Sequence, residues 1–455
     1  MIVAKTFIDK KVAIVGLGQS GLVTAHALIA GNAQVFCWDD DENIRKKAEL
    51  AGLKICNLKT ANWAEFDYLV LSPAIALNYP EPHWSVIKAK QANVPVIGDV
   101  EIFIREWKNF LIENNLSYHD CPLITISGTN GKSTTTALLE YLLKNINYKT
   151  QIGGNIGIAI LSLEPFEKDK YYIIELSSYQ IDLSPSLYST IALLLNITPD
   201  HIDRHKNFYN YSRIKRRLVE NSNIALLNVD DENIRKIKLT NAYKVSIKDK
   251  KTYYRIENNN FIAGDEILTN LGKLDNLPGE HNLQNLAMAL AAIAYITNNK
   301  IKDIKDIINN FNALPHRLEQ VRKYKNIIFV NDSKATNAQA TKQALLAFNN
   351  IHWIVGGVAK EGGIKELLPI LQNVTHAYLI GEAAQEFAQD LVGQVKYDIC
   401  HNMETAVVKS FQNAISQTSN KQNIILLSPA CASFDQFDNY LQRGDKFKQL
   451  VQQII

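Results

Sequence analysis

The chain opens with an apolar run at 12–15, a glycine-rich turn at 16–21, helically spaced apolar positions at 22–29 and a second apolar run at 34–38 that stops at Asp39 and Asp40. Short apolar runs bounded by turn residues read as strands, and 3.6-residue spacing reads as helix. The opening is therefore strand, turn, helix, strand. A further strand is expected at 68–71, ended by Ser72 and Pro73, and a helix at 100–114. After a polar turn at 113–120, a fresh strand at 123–127 runs into Gly128-Thr-Asn-Gly-Lys-Ser133. A helix follows, with Leu138, Leu139, Leu142 and Leu143 on one face. Strands are read at 172–175, 190–196 and 224–228, then a β-rich excursion at 244–269 and an Ala/Leu-rich helix through 279–296. Strand and helix alternate again from Ala313, with strands at 327–330, 353–355, 377–380 and 424–427.

Alternation of this kind predicts an α/β fold with parallel sheets and function at the carboxyl ends of the strands. Three domains are expected: a Rossmann-like domain at 1–98, a central P-loop-type ATPase domain at 99–312 and a second Rossmann-like domain at 313–455. The 455 residues fit that number at roughly 150 per domain. No repeat of fixed period is visible.

Composition narrows the partners. A net charge of +3 is too small for a nucleic-acid footprint or a membrane-surface binder. No segment approaches 18 uninterrupted apolar residues, and the start lacks the long apolar core of a signal peptide. The five cysteines are scattered without a CxxC pair, which suits reduced thiols and a cytoplasmic setting.

The strongest chemical signal is the loop at 127–133. Backbone N–H groups of a glycine loop that opens a helix can cradle phosphate oxygens. Lys132 would reach the terminal phosphates, and Ser133 or Thr134 would ligate magnesium. The loop is a shortened variant, with Ile126 where the usual pattern has glycine. Glu175 ends a strand, and Asp200, His201 and Asp203 follow another, so carboxylates are available for a magnesium site. Gly16, Gly18 and Gly21, with Asp39 or Asp40 about 20 residues on, also admit a nucleotide-dependent oxidoreductase. That reading leaves the Gly128 loop unexplained. Arg213, Lys215, Arg216 and Arg217 read from sequence alone as an exposed basic helix face.

Several motifs in one order resemble the Mur ligases: SGTNGKST at 127–134, ELSSYQ at 175–180, NITPDHIDRH at 196–205, GEHNLQN at 279–285, LPHR at 314–317, NDSKATN at 331–337 and SPACASFDQF at 428–437. The last two are the narrowest, and with the Gly16 loop they argue against a folate-adding ligase of the same superfamily. Intact Lys132, Glu175 and His201 argue against a non-catalytic relative.

The resemblance implies an enzyme that uses ATP and magnesium, two ions, to join D-glutamate to UDP-N-acetylmuramoyl-L-alanine through an acyl phosphate, acting as a monomer. Lys132, His201 and Lys215 would be catalytic, with Lys215 carbamoylated. ATP would lie on Gly128, Thr129, Asn130, Gly131, Lys132, Ser133, Thr134, Asn282, Asn285, Arg317 and Asp332. Magnesium would take Ser133, Glu175, His201 and the Lys215 carbamate. The UDP-sugar would meet Gly18, Gln19, Ser20, Asp39, Asn155 and Ser177. D-glutamate would meet Lys334, Thr336, Lys360, Ser433 and Tyr440. Tyr179 and Tyr440 stand where better-known members carry Phe, and the glycine-rich loop at 356–363 departs from the commoner version.

Overall fold

The computed structural model describes residues 1–274, 277–301, 304–311, 314–360, 362–416 and 422–454. The expected boundary at Asn312 and Ala313 lies outside the described residues, as does Glu361 of the 356–363 loop. The chain forms two compact units, 1–273 with 284–309 and 274–283 with 310–455.

The first unit holds two sheets. Strands β1 (Lys11–Val15), β2 (Gln34–Trp38), β3 (Tyr68–Leu71) and β4 (Val96–Ile97) run parallel in the order β2-β1-β3-β4. Both faces of β1 are buried: Val12 and Ile14 pack with Ala25 and Leu28, while Ala13 and Val15 pack with Leu69, Leu71 and Val86. Burial on both faces is why these strands read as unbroken apolar runs.

The second sheet comprises β5 (Leu123–Ser127), β6 (Lys149–Gly154), β7 (Lys170–Glu175), β8 (Ser189–Leu194), β9 (Ser222–Asn228), β10 (Ala242–Ser246), β11 (Tyr254–Glu257), β12 (Asn260–Ala263) and β13 (Glu266–Asn270). Its order is β13-β12-β11-β10-β9-β8-β5-β7-β6. It is parallel from β6 to β11 and antiparallel through β12 and β13. Because β5 lies between β7 and β8, the segments leaving all three emerge side by side at one edge. Those segments carry the phosphate loop, Glu175 and the run from Asn196 to His201.

The second unit holds the third sheet: β14 (Glu319–Tyr324), β15 (Ile327–Asn331), β16 (Ile351–Gly356), β17 (Val374–Ile380), β18 (Tyr397–His401) and β19 (Asn423–Leu427), ordered β14-β15-β19-β16-β17-β18. Only β14 is antiparallel to its neighbour. The α/β class with three sheets is as expected. Four strands, β4, β6, β14 and β18, went unread in the sequence, and each is a sheet edge. Among the described residues no helix is long and apolar enough to cross a membrane. All five cysteines are free thiols.

Candidate active site

The phosphate loop is fixed by hydrogen bonds to the segment after β8. Thr129 N donates to Asn196 O (2.9 Å), Asn130 N donates to Asn196 Oδ1 (2.8 Å), and Asn196 Nδ2 returns to Asn130 O (3.0 Å). Thr129 Oγ1 lies 2.9 Å from the Tyr211 hydroxyl and donates to Thr198 O. Gly131 caps the helix Lys132–Asn145 with φ 81°, and a Cβ there would lie 2.4 Å from Asn285 Oδ1. Glycine is thus required both for the left-handed backbone and for the approach of Asn285. Lys132 Nζ curls back to Gly128 O and Thr129 O, 2.9 Å from each. Ser133 is buried in the first helical turn and Thr134 follows it. This edge carries two lysines, and the helix N-terminus with Lys132 makes it a site for anionic oxygens.

The second lysine is Lys215, and here the expectation of an exposed basic face fails. On the helix Phe208–Glu220, Tyr211, Ile214, Lys215, Leu218 and Val219 are buried, whereas Arg213 and Arg216 are exposed. Lys215 is 1% exposed, and its Nζ donates to Gly128 O (2.8 Å) and Ser127 Oγ (3.2 Å). Burial, then the charge of Lys132, push its pKa well below the usual lysine value, against the pull of Asp200 and Glu175. The signal was in the sequence: Lys215 falls in phase with the apolar stripe of its helix.

Glu175, 1% exposed at the end of β7, accepts from Asn155 Nδ2 at 2.7 Å. The amide of Asn155 also donates to Glu175 O. Ser177 caps the helix Ser178–Asp182 and forms a capping box with Gln180. His201 adopts a left-handed backbone (φ 53°). Its Nε2 lies 3.5 Å from Asp200 Oδ2, and its ring lies 5.0 Å from that of Tyr179. His205, unmarked in the sequence reading, places Nε2 2.9 Å from Ser178 Oγ, and burial pushes its pKa down to about 4. Tyr211 was missed too, because a lone tyrosine in a helix reads as core.

Among the described residues no three His, Cys, Asp or Glu side chains gather as a metal site. A donor set of Glu175, the Ser133 hydroxyl and water, completed by a carbamate oxygen, is nonetheless chemistry that magnesium accepts.

The glycine loop after β1 is surrounded differently. Leu17 N donates to Asp39 Oδ2 (2.7 Å) and Asp41 N to Asp39 Oδ1 (3.0 Å), so Asp39 fastens the loop to the end of β2. The Ser20 hydroxyl donates to the buried carboxylate of Asp99. Gln19 starts the helix Gln19–Ala30, and around Gly18 there is open space where a side chain would stand.

In the second unit, residues from the loops after β15, β16 and β19 meet at the carboxyl edge. Asp332 is buried, accepting from Ser428 Oγ (2.8 Å) and Leu318 N, and burial pushes its pKa up to about 7. The charge of Arg317 opposes that rise. Lys334 Nζ sits 4.9 Å from the centre of the Tyr440 ring, a contact that a phenylalanine could also make. Thr336 N donates to Lys334 O, and Ser433 is buried. Paired Val358 and Ala432 bring the loop carrying Lys360 alongside the one carrying Ser433. Arg443, also missed, is 1% exposed and ties Ser333 Oγ, Ser333 O and Cys431 O together. Asn282 Nδ2 donates to Pro278 O, 2.7 Å away.

A phosphate loop with a buried lysine and carboxylate, in a chain with two further Rossmann-like sheets, defines the class of three-domain ATP-dependent ligases. Comparison with known proteins agrees. Residues 10–98 match the model described as Mur ligase MurD-like, N-terminal domain; 126–293 match the Mur ligase middle domain; and 316–431 match the Mur ligase, glutamate ligase domain. The UDP-N-acetylmuramoylalanine--D-glutamate ligase of Bartonella henselae is 45% identical, covering 98% of this chain and 97% of its own. The proteins of that name from Brucella abortus and Nitrobacter winogradskyi are each 44% identical, covering 97% and 99% of this chain and 96% and 98% of their own. Two solved structures share the fold. UDP-N-acetylmuramate-alanine ligase MurC of Thermotoga maritima has a TM-score of 0.58 at 16% identity, over 98% of this chain and 100% of that one. MurF ligase of the same organism, in complex with ADP, has a TM-score of 0.58 at 18% identity, over 87% and 97%. The chain belongs to the Mur ligase family.

Proposed function

We propose that this protein is an ATP-dependent ligase that joins D-glutamate to UDP-N-acetylmuramoyl-L-alanine in the synthesis of peptidoglycan precursors. The observation that carries the reading is the meeting of the phosphate loop, Lys132, Lys215 and Glu175 at the ends of β5 and β7. The division of labour follows the chain: 1–98 for the UDP-sugar, 99–312 for ATP and 313–455 for the amino acid. The site sets fall as named above. The protein works as a cytoplasmic monomer, a setting supported by its free thiols.

Amide formation from a carboxylate needs a leaving group. The alanine carboxylate attacks the γ-phosphorus of ATP, the bond to ADP breaks, and an acyl phosphate results. The D-glutamate amine attacks that carbonyl, loses a proton, and phosphate leaves. Negative charge crowds every step. Lys132 exchanges the carbonyls of its own loop for phosphate oxygens, and the N–H groups at the helix start add to it. Lys334 and Lys360 offset the carboxylates of D-glutamate, and Asp332 with Asn282, Asn285 and Arg317 orients the nucleotide. Magnesium, as two ions held through Ser133, Glu175, His201 and the Lys215 carbamate, would supply further neutralising charge on the phosphate oxygens.

A neutral, buried amine at Lys215 can add carbon dioxide, forming an N–C bond and releasing one proton, and the product is an anionic oxygen donor. An ammonium salt-bridged to Glu175 or Asp203 is the alternative, and burial disfavours it.

The test is phosphate release from ATP with UDP-N-acetylmuramoyl-L-alanine and, in turn, D-glutamate, L-glutamate or a folate. Release confined to D-glutamate is expected. Equal release with L-glutamate, or with the folate acceptor, would overturn the reading.

A further inference from the structure

The 196–205 motif also contains an arginine. Arg204 is the third residue of the short helix Ile202–His205, just after His201. Its guanidinium donates to three successive backbone carbonyls of the turn that follows β3: Pro73 O (3.2 Å), Ala74 O (2.6 Å) and Ile75 O (2.7 Å). Three carbonyls pointing at one guanidinium is an unusual demand on a turn. A carbonyl left beside a cation gains a charge-assisted hydrogen bond, about twice as strong as a neutral one.

The same turn is pressed against the glycine loop. A Cβ on Gly16 would lie 2.5 Å from Ser72 Cβ and 2.8 Å from Ile75 Cδ1, and Ser72 N donates to Val15 O. The turn thus stands at the carboxyl end of the first sheet, where ligands of such sheets bind. The other face of the guanidinium lies 4.6 Å from the Tyr179 ring, and that ring in turn meets those of His201 and His205 at 5.0 and 5.4 Å. These are contacts of the ring, which a phenylalanine could also make.

In a trans peptide the N–H points opposite to the C=O. With the carbonyls of Pro73 and Ile75 turned toward Arg204, the amides of Ala74 and Ala76 are directed away from it. We propose that Arg204 is a positioning residue for the UDP-sugar: its grip on the 73–75 carbonyls sets the turn beside the glycine loop so that these amides face the anionic part of that ligand, and its stacking on Tyr179 ties the turn to His201. The inference rests on the proposed function for the identity of the ligand. The geometry of the grip stands without it.

The experiment measures binding of UDP-N-acetylmuramoyl-L-alanine by calorimetry, without ATP, to the wild type, Arg204→Ala and Arg204→Lys, with KM values for ATP and D-glutamate alongside. Arg204→Ala is expected to weaken UDP-sugar binding at least tenfold and to leave the other two KM values within twofold. Arg204→Lys keeps a cation but loses the planar fork, so its affinity should fall between the two. Unchanged UDP-sugar affinity in Arg204→Ala overturns the proposal, as does an equal loss toward all three substrates in a folded Arg204→Lys. A wild type that binds no UDP-N-acetylmuramoyl-L-alanine overturns the functional reading instead. If Arg204→Ala fails to fold, Arg204→Lys decides alone, and wild-type affinity in it counts against the proposal.

Discussion

The loops after β1 and β5 share one local grammar, strand, glycine turn and helix, yet their surroundings have opposite sign. The loop at 16–21 is held by acidic side chains: Asp39 takes the amides of Leu17 and Asp41, and Asp99, whose pKa burial raises, takes the Ser20 hydroxyl. The loop at 127–133 is held by two amines that both donate to Gly128 O: Lys132, the cation, and Lys215, whose charge burial disfavours. A backbone turn of this kind supplies N–H groups but does not choose the ligand. Charge around the turn makes the choice. A carboxylate beside the loop, as Asp39 is, suits hydroxyl groups such as those of a ribose. A loop backed by the Lys132 cation and a helix N-terminus suits a triphosphate. The second loop, backed by Lys132, is what an oxidoreductase reading of the first leaves unexplained.

The largest test of the contrast removes the cation. Lys132→Ala should lower turnover by at least about 10²–10³-fold, the range for losing one group that stabilises developing negative charge, while the thermal melt stays near wild type. ADP formation alongside the melt measures both, and a folded variant with much of its activity would take the loop out of the mechanism.

Lys215 comes next. Lys215→Ala should be nearly inactive and regain part of its activity with acetate; rescue by small amines would favour the ammonium instead. Stability gives an independent handle. The folded-state pKa of Lys215 is depressed, so between that value and the unfolded one the unfolded chain binds the extra proton, and stability rises with pH. Lys215→Met removes this dependence. In buffer free of carbon dioxide it should therefore melt higher than wild type near neutral pH, by a margin that shrinks as pH climbs toward the ordinary lysine value. A lower melt across the range would mean that Lys215 is not a buried neutral amine.

On the carboxylate side the effects are smaller. Asp39→Ala should weaken UDP-sugar use about tenfold, about what one lost charge-assisted hydrogen bond is worth, with little change toward ATP. Ser20→Ala should be smaller still for activity. It leaves Asp99 short of a partner in a buried site, and a melt lowered by about 1–3 kcal/mol in equivalent stability is the expected cost. An unchanged melt would show that the pair is not holding the loop.

What the sequence made legible follows from the same physics. Interior strands such as β5 and β8 are apolar on both faces and read directly. The strands left unread, β4, β6, β14 and β18, are all edges, where one side faces no partner and the residues are mixed, as in Lys149-Thr-Gln-Ile-Gly-Gly154. The site divided in a similar way. Residues next to a strand end, such as Lys132 and Glu175, carried a positional signal. Tyr211, Arg204 and Arg443 act through contacts far away in the chain, to Thr129, to 73–75 and to Ser333, and no local pattern marks those. Lys215 lies between the two cases: its neighbours suggest a solvated basic face, and only its phase with Tyr211, Ile214 and Leu218 reveals the burial.

The opposed electrostatics of the two loops meet their most direct test in a crossed binding measurement. Calorimetry of a non-hydrolysable ATP analogue and of UDP-N-acetylmuramoyl-L-alanine would be run against Lys132→Ala and Asp39→Ala. Ligand choice by charge around each loop predicts that Lys132→Ala loses the nucleotide and keeps the UDP-sugar, and that Asp39→Ala does the reverse. Loss of the UDP-sugar in Lys132→Ala with nucleotide binding intact, or no distinction between the two variants, would contradict it.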